Sequence, residues 1–337
     1  MPFSRLETLP PTEILQLENG LSLRSRLRFN LTVYPADSAA ATKPVDEWNL
    51  KRALLEFLKS SFSISLTVPE DDLLIRRSKD LKNRRRDDAL ASGTLFVRDL
   101  KFLERGEVEE HDDELRSNAL QRKLSDWRDL VLDKMNGIEL NLEGFRYKLS
   151  VETPDCDDFD KMRKAWEESS AFENRGRGIG RGKQEIDTIV VRGVPSRWFS
   201  EPRVSSRPSM LVTHTIFSAF GRIRNLEVVE DDEQGRDGKE EGGLISGLHC
   251  KVVVQYEKYR DFCNAFKVLC GRSLQKNGSR FEADYEVTWA KDVNFRNAKS
   301  REAQNSSGLS MDAFRSNASM QEPIAAAKET RRKRFRE

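Results

Sequence analysis

DTIVVRGVPSRWF, residues 187–199, decides the fold. Its apolar run from Ile189 to Val191 meets Gly193 and Pro195, which reads as a strand followed by a stop. Working outward, SMLVTHTIFSAFG sets Val212, Ile216, Phe217 and Phe220 on one helical face, with Gly221 ending the helix. RIRNLEVVE and LHCKVVVQYEKY read as strands on either side of a long hydrophilic loop, DDEQGRDGKEEGGLISG. YRDFCNAFKVLCG is a helix with Phe262, Ala265, Phe266 and Leu269 at i, i+3, i+4 and i+7. YEVTWAK closes the set as a strand. The order over residues 186–292 is β-α-β-β-α-β.

The same order runs earlier in the chain, over residues 22–152. LSLRSRLRFNLTVYP alternates, with Leu27, Phe29, Leu31 and Val33 on one face. VDEWNLKRALLEFLKSSF is a helix with acids in its first turn. SISLTV and GTLFVRDLKFLE are strands around a solvated RRSKDLKNRRRDD loop. DDELRSNALQRKLSDWRDLVLDKMNG is a helix closed by Gly137, and IELNLEGFRYKLSVE supplies the last strand or strand pair. The expected class is therefore α+β, with two ferredoxin-like domains. Residues 1–21 read as a loose lead-in. Residues 153–185 form a connection containing a helix, with Phe159, Met162 and Trp166 on one side. Trp166 is expected to dock on a neighbouring domain. Residues 293–337 read as a disordered tail.

Composition limits the chemistry. Of the 337 residues 34% are charged and 37% hydrophobic, enough for two domain cores but with polar segments left over. The net charge of +2 hides acidic and basic blocks, so partners must be sought in local patches. No apolar stretch reaches the ~18–20 residues of a membrane helix, and no signal peptide or membrane partner is expected. The four cysteines, Cys156, Cys250, Cys263 and Cys270, form no Cys-x-x-Cys pair and read as reduced thiols. The three histidines, His111, His214 and His249, share no metal-ligand spacing. No nucleophile, paired carboxylates or metal set stands out, so no enzyme activity, cofactor or metal is expected.

The second domain resembles the RNA-recognition motif, through FSAFGRI at the end of helix one and NAFKVLCGRSL at the end of helix two. In that motif the open sheet face carries aromatic rings that stack on bases. Strand alternation sets Val190, Arg192, His249, Lys251 and Val253 on that face. The resemblance then implies that three customary rings are replaced, at Val190, Lys251 and Val253. Stacking contributes about 1–3 kcal/mol per base, so modest binding of single-stranded RNA is expected. Arg192 and Lys251 can reach phosphates, and His249 can stack weakly. Lys291 follows the last strand at the sheet's edge. Trp198 and Phe199 either pack on the domain or offer a replacement stacking surface. Arg175, Arg177 and Arg181, in the cationic RGRGIGRGK linker, supply charge and planar groups. Residues 230–241, with seven acids and two bases, would oppose phosphates near one end of the sheet.

DTIVVRGVPSRWF, the preceding DCDDF, FGRIRNLEV and VVVQYEKYRDF together resemble the splicing-associated A-kinase anchor protein family. That resemblance implies a nuclear role in pre-mRNA splicing, with pre-mRNA and splicing-factor proteins as partners. Protein kinase A anchoring is not expected, because the residues after 295 hold no long amphipathic helix. Arg331, Arg332, Lys333, Arg334 and Arg336 form a basic cluster suited to nuclear import. The alternative is a protein-interaction adaptor with little RNA affinity of its own. A helical-face peptide site at Arg272-Ser273-Leu274 is a narrower form of that alternative.

Overall fold

A computed structural model of the chain describes residues 6, 9–37, 45–62, 68–78, 88–104, 113–176, 186–201, 204, 206–230 and 248–290. Residues 1–293 form one contact unit. The architecture is α+β, built from antiparallel sheets and, among the described residues, five α-helices.

The first lobe contains β3 (Leu27–Pro35), α1 (Glu47–Ser61), β4 (Leu73–Arg77), β5 (Ala91–Val97), α2 (Asp113–Met135), β6 (Glu139–Leu142) and β7 (Phe145–Glu152). Its sheet order is β4-β5-β3-β7-β6. Period-two alternation sends Phe29, Leu31 and Val33 of β3 inward, where they meet Leu50, Leu54 and Leu58 of α1. Asp46 caps α1 by accepting a hydrogen bond from the Trp48 amide.

The strand beside β5 is β4, not SISLTV, most of which lies outside the described residues. Sequence reading set the end of β4 in a solvated loop because of its arginines. In the fold Leu73 is buried against Leu95, while Arg76 and Arg77 fall on an edge strand where charge is tolerated. Gly93 makes this pairing possible, because a Cβ there would meet the Leu74 carbonyl oxygen at 2.6 Å. Gly93→Val should therefore cost about 1–3 kcal/mol, seen as a lower urea midpoint. An unchanged midpoint would mean that β4 does not pack there.

The second lobe contains β8 (Thr188–Pro195), α4 (Met210–Phe217), β9 (Ile223–Glu230), β10 (His249–Tyr256), α5 (Tyr259–Leu269) and β13 (Glu286–Ala290). Its sheet order is β13-β8-β10-β9. Ile189, Val191, Val252, Val254 and Tyr256 share one apolar cluster with Ile216, Phe217, Phe262 and Phe266. The helical faces expected for α4 and α5 are the buried ones.

A third sheet, ordered β1-β2-β11-β12, joins the chain's beginning to the second lobe. β1 (Leu15–Gln16) and β2 (Leu21–Ser25) pair with each other, and β2 pairs with β11 (Arg272–Lys276), which pairs with β12 (Glu282–Asp284). Two expectations are corrected here. The lead-in is not loose, since Leu6, Leu15 and Leu21 lie in the second lobe's cluster. LSLRSRLRFNLTVYP is not one strand either: it breaks at Arg26, and the two halves enter different sheets. Leu21 and Leu23 complete one core while Leu27 and Phe29 complete the other.

α3 (Phe159–Gly176) lies against α5. Trp166 is 1% exposed, and its ring meets Phe262 at 5.3 Å and Phe266 at 5.2 Å, both edge-on. Its indole N–H donates to the Tyr259 hydroxyl at 3.3 Å. Trp166 is thus the docking residue its spacing suggested.

Candidate nucleic-acid interface

The exposed part of the second lobe's sheet differs from the expected one. Alternation does put Val190 and Val253 on the face opposite the helices, and they are register partners. Yet they are 5% and 3% exposed and belong to neither apolar cluster. At the centre of this face the two valines thus expose little surface of their own. Arg192 is exposed, opposite Glu286 of β13. His249 and Lys251 are half-buried at the start of β10. The far end is a polar network, in which Gln255 and Arg224 both donate to the Asp187 carboxylate.

Beyond the end of β8 the rings reappear. Phe199 is buried and stacks on Phe217 at 6.3 Å, so it is core. Trp198 is half-buried, and its ring stands edge-on to Phe281 at 5.9 Å. Phe281 is 62% exposed. The Trp198 carbonyl accepts from the Asn19 side-chain amide at 2.9 Å, so the lead-in braces this corner. Arg197 and Arg280 are exposed and directly adjoin the two rings in sequence. Ring faces beside arginines suit a single strand, whose bases stack while its phosphates meet cations.

Sequence reading missed Phe281 and Arg280. They sit in KNGSRFEADYE, a segment without strand or helix period, so nothing local linked them to Trp198. Their register became visible only through the β11–β12 hairpin. The carboxylate beside them, Glu282, is already engaged by Arg98 at 2.8 Å, so it opposes a phosphate weakly.

Ion pairs to Glu282 and Asp284 of β12, which follows Phe281, tie the two lobes together. Arg26, with a side chain 1% exposed, contacts Asp157 at 2.6 Å and Asp284 at 2.9 Å. Arg28 donates to Asp157 at 2.8 Å and to the Cys156 sulfur at 2.6 Å. Arg98 reaches Asp72, Ser273 and Asp284. The Phe96 ring lies under both Arg98, at 4.7 Å, and Arg26, at 5.5 Å. Burial alone would raise the Asp284 carboxyl, but hydrogen bonds from Arg98 and the charge of Arg26 outweigh it and hold it below its usual range. Burial pushes the Cys156 thiol up to about 11, the direction of an inert thiol.

The helical-face peptide site has an internal occupant. Arg272 is buried and donates to the carbonyls of Glu13, at 2.9 Å, and Pro10, at 3.2 Å. Leu274 is paired with Leu23. The protein's own lead-in fills that position, so it is not open to a peptide of another chain.

Arg177, Arg181, Lys291 and the cluster Arg331, Arg332, Lys333, Arg334 and Arg336 lie outside the described residues, as does most of the acidic 230–241 stretch. Arg175 lies in the last turn of α3. Among the described residues no group of three or more His, Cys, Asp or Glu side chains could hold a metal ion, and no helix is long and apolar enough to cross a membrane.

Human A-kinase anchor protein 17A is 31% identical over 97 residues, covering 27% of this chain and 14% of the human protein. The chain thus matches a small part of that relative's length. The model of the AKAP-17A-like, RNA-binding domain family matches residues 121–333, more than half of the chain and all of the second lobe. The chain belongs to the AKAP-17A-like RNA-binding domain family.

Proposed function

We propose that this chain is a nuclear RNA-binding protein acting in pre-mRNA splicing or mRNA processing, without enzymatic activity. It grips single-stranded RNA at the corner formed by Trp198, Phe281, Arg197 and Arg280, with Arg192 and Lys251 extending the cationic track. Both lobes are read as ferredoxin-like domains of the RNA-recognition type. Support comes from their strand orders, β7-β3-β5-β4 within the first sheet and β13-β8-β10-β9 in the second. In each the first and third strands are central, as a β-α-β-β-α-β chain requires. The observation that carries the functional reading is the RNA-binding family match across the whole second lobe.

The corner accounts for how such a domain works without sheet rings. Rings are moved from the sheet's centre to its end, and arginines flank them. Splicing-factor proteins remain the proposed partners, as the sequence's resemblance to the splicing-associated A-kinase anchor protein family implies. Kinase anchoring forms no part of this reading.

The test is binding of the full chain to a random single-stranded RNA pool across a salt series. Affinity should fall steeply as salt rises, because phosphate contacts release counterions. Phe281→Ala should weaken binding by about 1–3 kcal/mol at fixed salt, with folding intact because the ring is exposed. If binding survives Phe281→Ala and Arg192→Ala with Lys251→Ala, yet vanishes on deleting residues 175–183, the linker is the binder and this assignment fails.

A further inference from the structure

We propose that the chain forms a two-fold homodimer by antiparallel pairing of β4 with β4 of a second copy, centred on Leu74. β4 is an edge strand with β5 on one side and no strand on the other among the described residues. Leu74 on β4 is 50% exposed and Trp48 on α1 is 58% exposed. Between them lies an open groove of about 610 Å³, whose walls include Leu73, Ile75 and Lys51. Exposed apolar side chains beside an unpaired strand edge form a template for another strand.

Backbone direction fits. The Arg77 amide donates to the Glu47 carboxylate at 3.1 Å, so it points away from β5. Alternation aims the Ile75 amide and Leu73 carbonyl the same way. Across a two-fold at Leu74, Ile75 N–H of each copy donates to Leu73 C=O of the other. Leu74 then meets Leu74 of the second copy on one face. On the other face Ile75 of each copy extends over the groove, while Leu73 stays in its own core.

Charge selects this occupant. The segment around β4 is EDDLLIRR, residues 70–77, with acids at one end and arginines at the other. Arginines on an edge ordinarily discourage pairing. In antiparallel pairing about Leu74, however, the acidic 3-10 turn Glu70–Asp72 just ahead of β4 in one copy comes beside Arg76 and Arg77 of the other. Parallel pairing would set acid against acid. Asp71, Arg76 and Arg77 are exposed, Arg77 while also pairing with Glu47 at 3.1 Å, whereas Asp72 is held by Arg98. The sequence is complementary to itself in one orientation, which points to a second copy of this chain as the occupant.

Sedimentation velocity of the full chain over a concentration series tests the proposal. Wild type should show a monomer–dimer equilibrium, and Leu74→Lys should shift it to monomer. Asp71→Arg or Arg77→Glu alone places like charges across the two-fold and should weaken the dimer about tenfold. An equimolar mixture of these two variants restores opposite charges at both positions and should recover the dimer. That recovery also shows that each variant is folded. Wild-type monomer at every concentration, a dimer indifferent to all three substitutions, or a mixture no tighter than either variant each overturns the proposal.

Discussion

Trp166→Ala is expected to destabilise the protein by about 3–5 kcal/mol, measured by urea denaturation with circular dichroism. The indole is almost wholly enclosed, meets three rings edge-on (Phe159 at 5.8 Å, Phe262 and Phe266) and donates a hydrogen bond to Tyr259. Removing it leaves a cavity at the junction of α3 and α5 and takes from the Tyr259 hydroxyl the hydrogen bond it accepts. The loss reaches function through position. The cationic linker, residues 175–183, starts in the last turn of α3, so a detached α3 no longer fixes its starting point. Trp48→Ala is the internal contrast. That ring is mostly exposed, and its loss should stay within about 0.5 kcal/mol. Equal effects of the two substitutions would contradict the packing described.

Arg26→Ala carries the second large effect, about 3 kcal/mol. The guanidinium is buried between Asp157 and Asp284. Its removal leaves two shielded carboxylates short of a counter-charge, although Arg28 still pairs with Asp157 and Arg98 with Asp284. The pH dependence follows from Asp284, whose folded pKa is depressed. Its contribution is present above the unfolded aspartate value near ~3.9 and is lost as pH falls through the lower folded value. Wild type should therefore lose stability on acidification below about pH 4. Arg26→Ala should lose less over the same range, because part of the depression is gone. Urea midpoints across the acid range measure both slopes. Parallel slopes would mean that Arg26 does not act on Asp284.

The second lobe was legible in sequence because its signals are local. The i, i+3, i+4, i+7 apolar series of α5 and the alternation of β10 each arise within a dozen residues, and the fold buries the side chains they mark. The third sheet was not legible. β2 and β11 come from opposite ends of the described chain, and no local period announces a partner so distant. Arg26 looked like one more charge in an alternating strand, yet it is the turning point between two sheets. β4 was misjudged because arginine-rich sequence reads as loop unless the edge position is known. At the candidate interface, Arg192 stood out as an exposed strand cation, and Trp198 as a ring just past the strand. Burial of Val190 and Val253 was invisible, since alternation assigns a face and says nothing of what lies over it. Phe281 joined the site only through tertiary pairing.

The central claim is that RNA lies at the Trp198–Phe281 corner of the second lobe. Ultraviolet cross-linking of the full chain to single-stranded RNA, with the adducted peptides located by mass spectrometry, tests it most directly. Adducts should concentrate on the segments around Arg197–Trp198 and Arg280–Phe281, and should fall away at salt high enough to release phosphate contacts. Adducts confined to the first lobe, or to residues 175–183 with none at either ring, would contradict it.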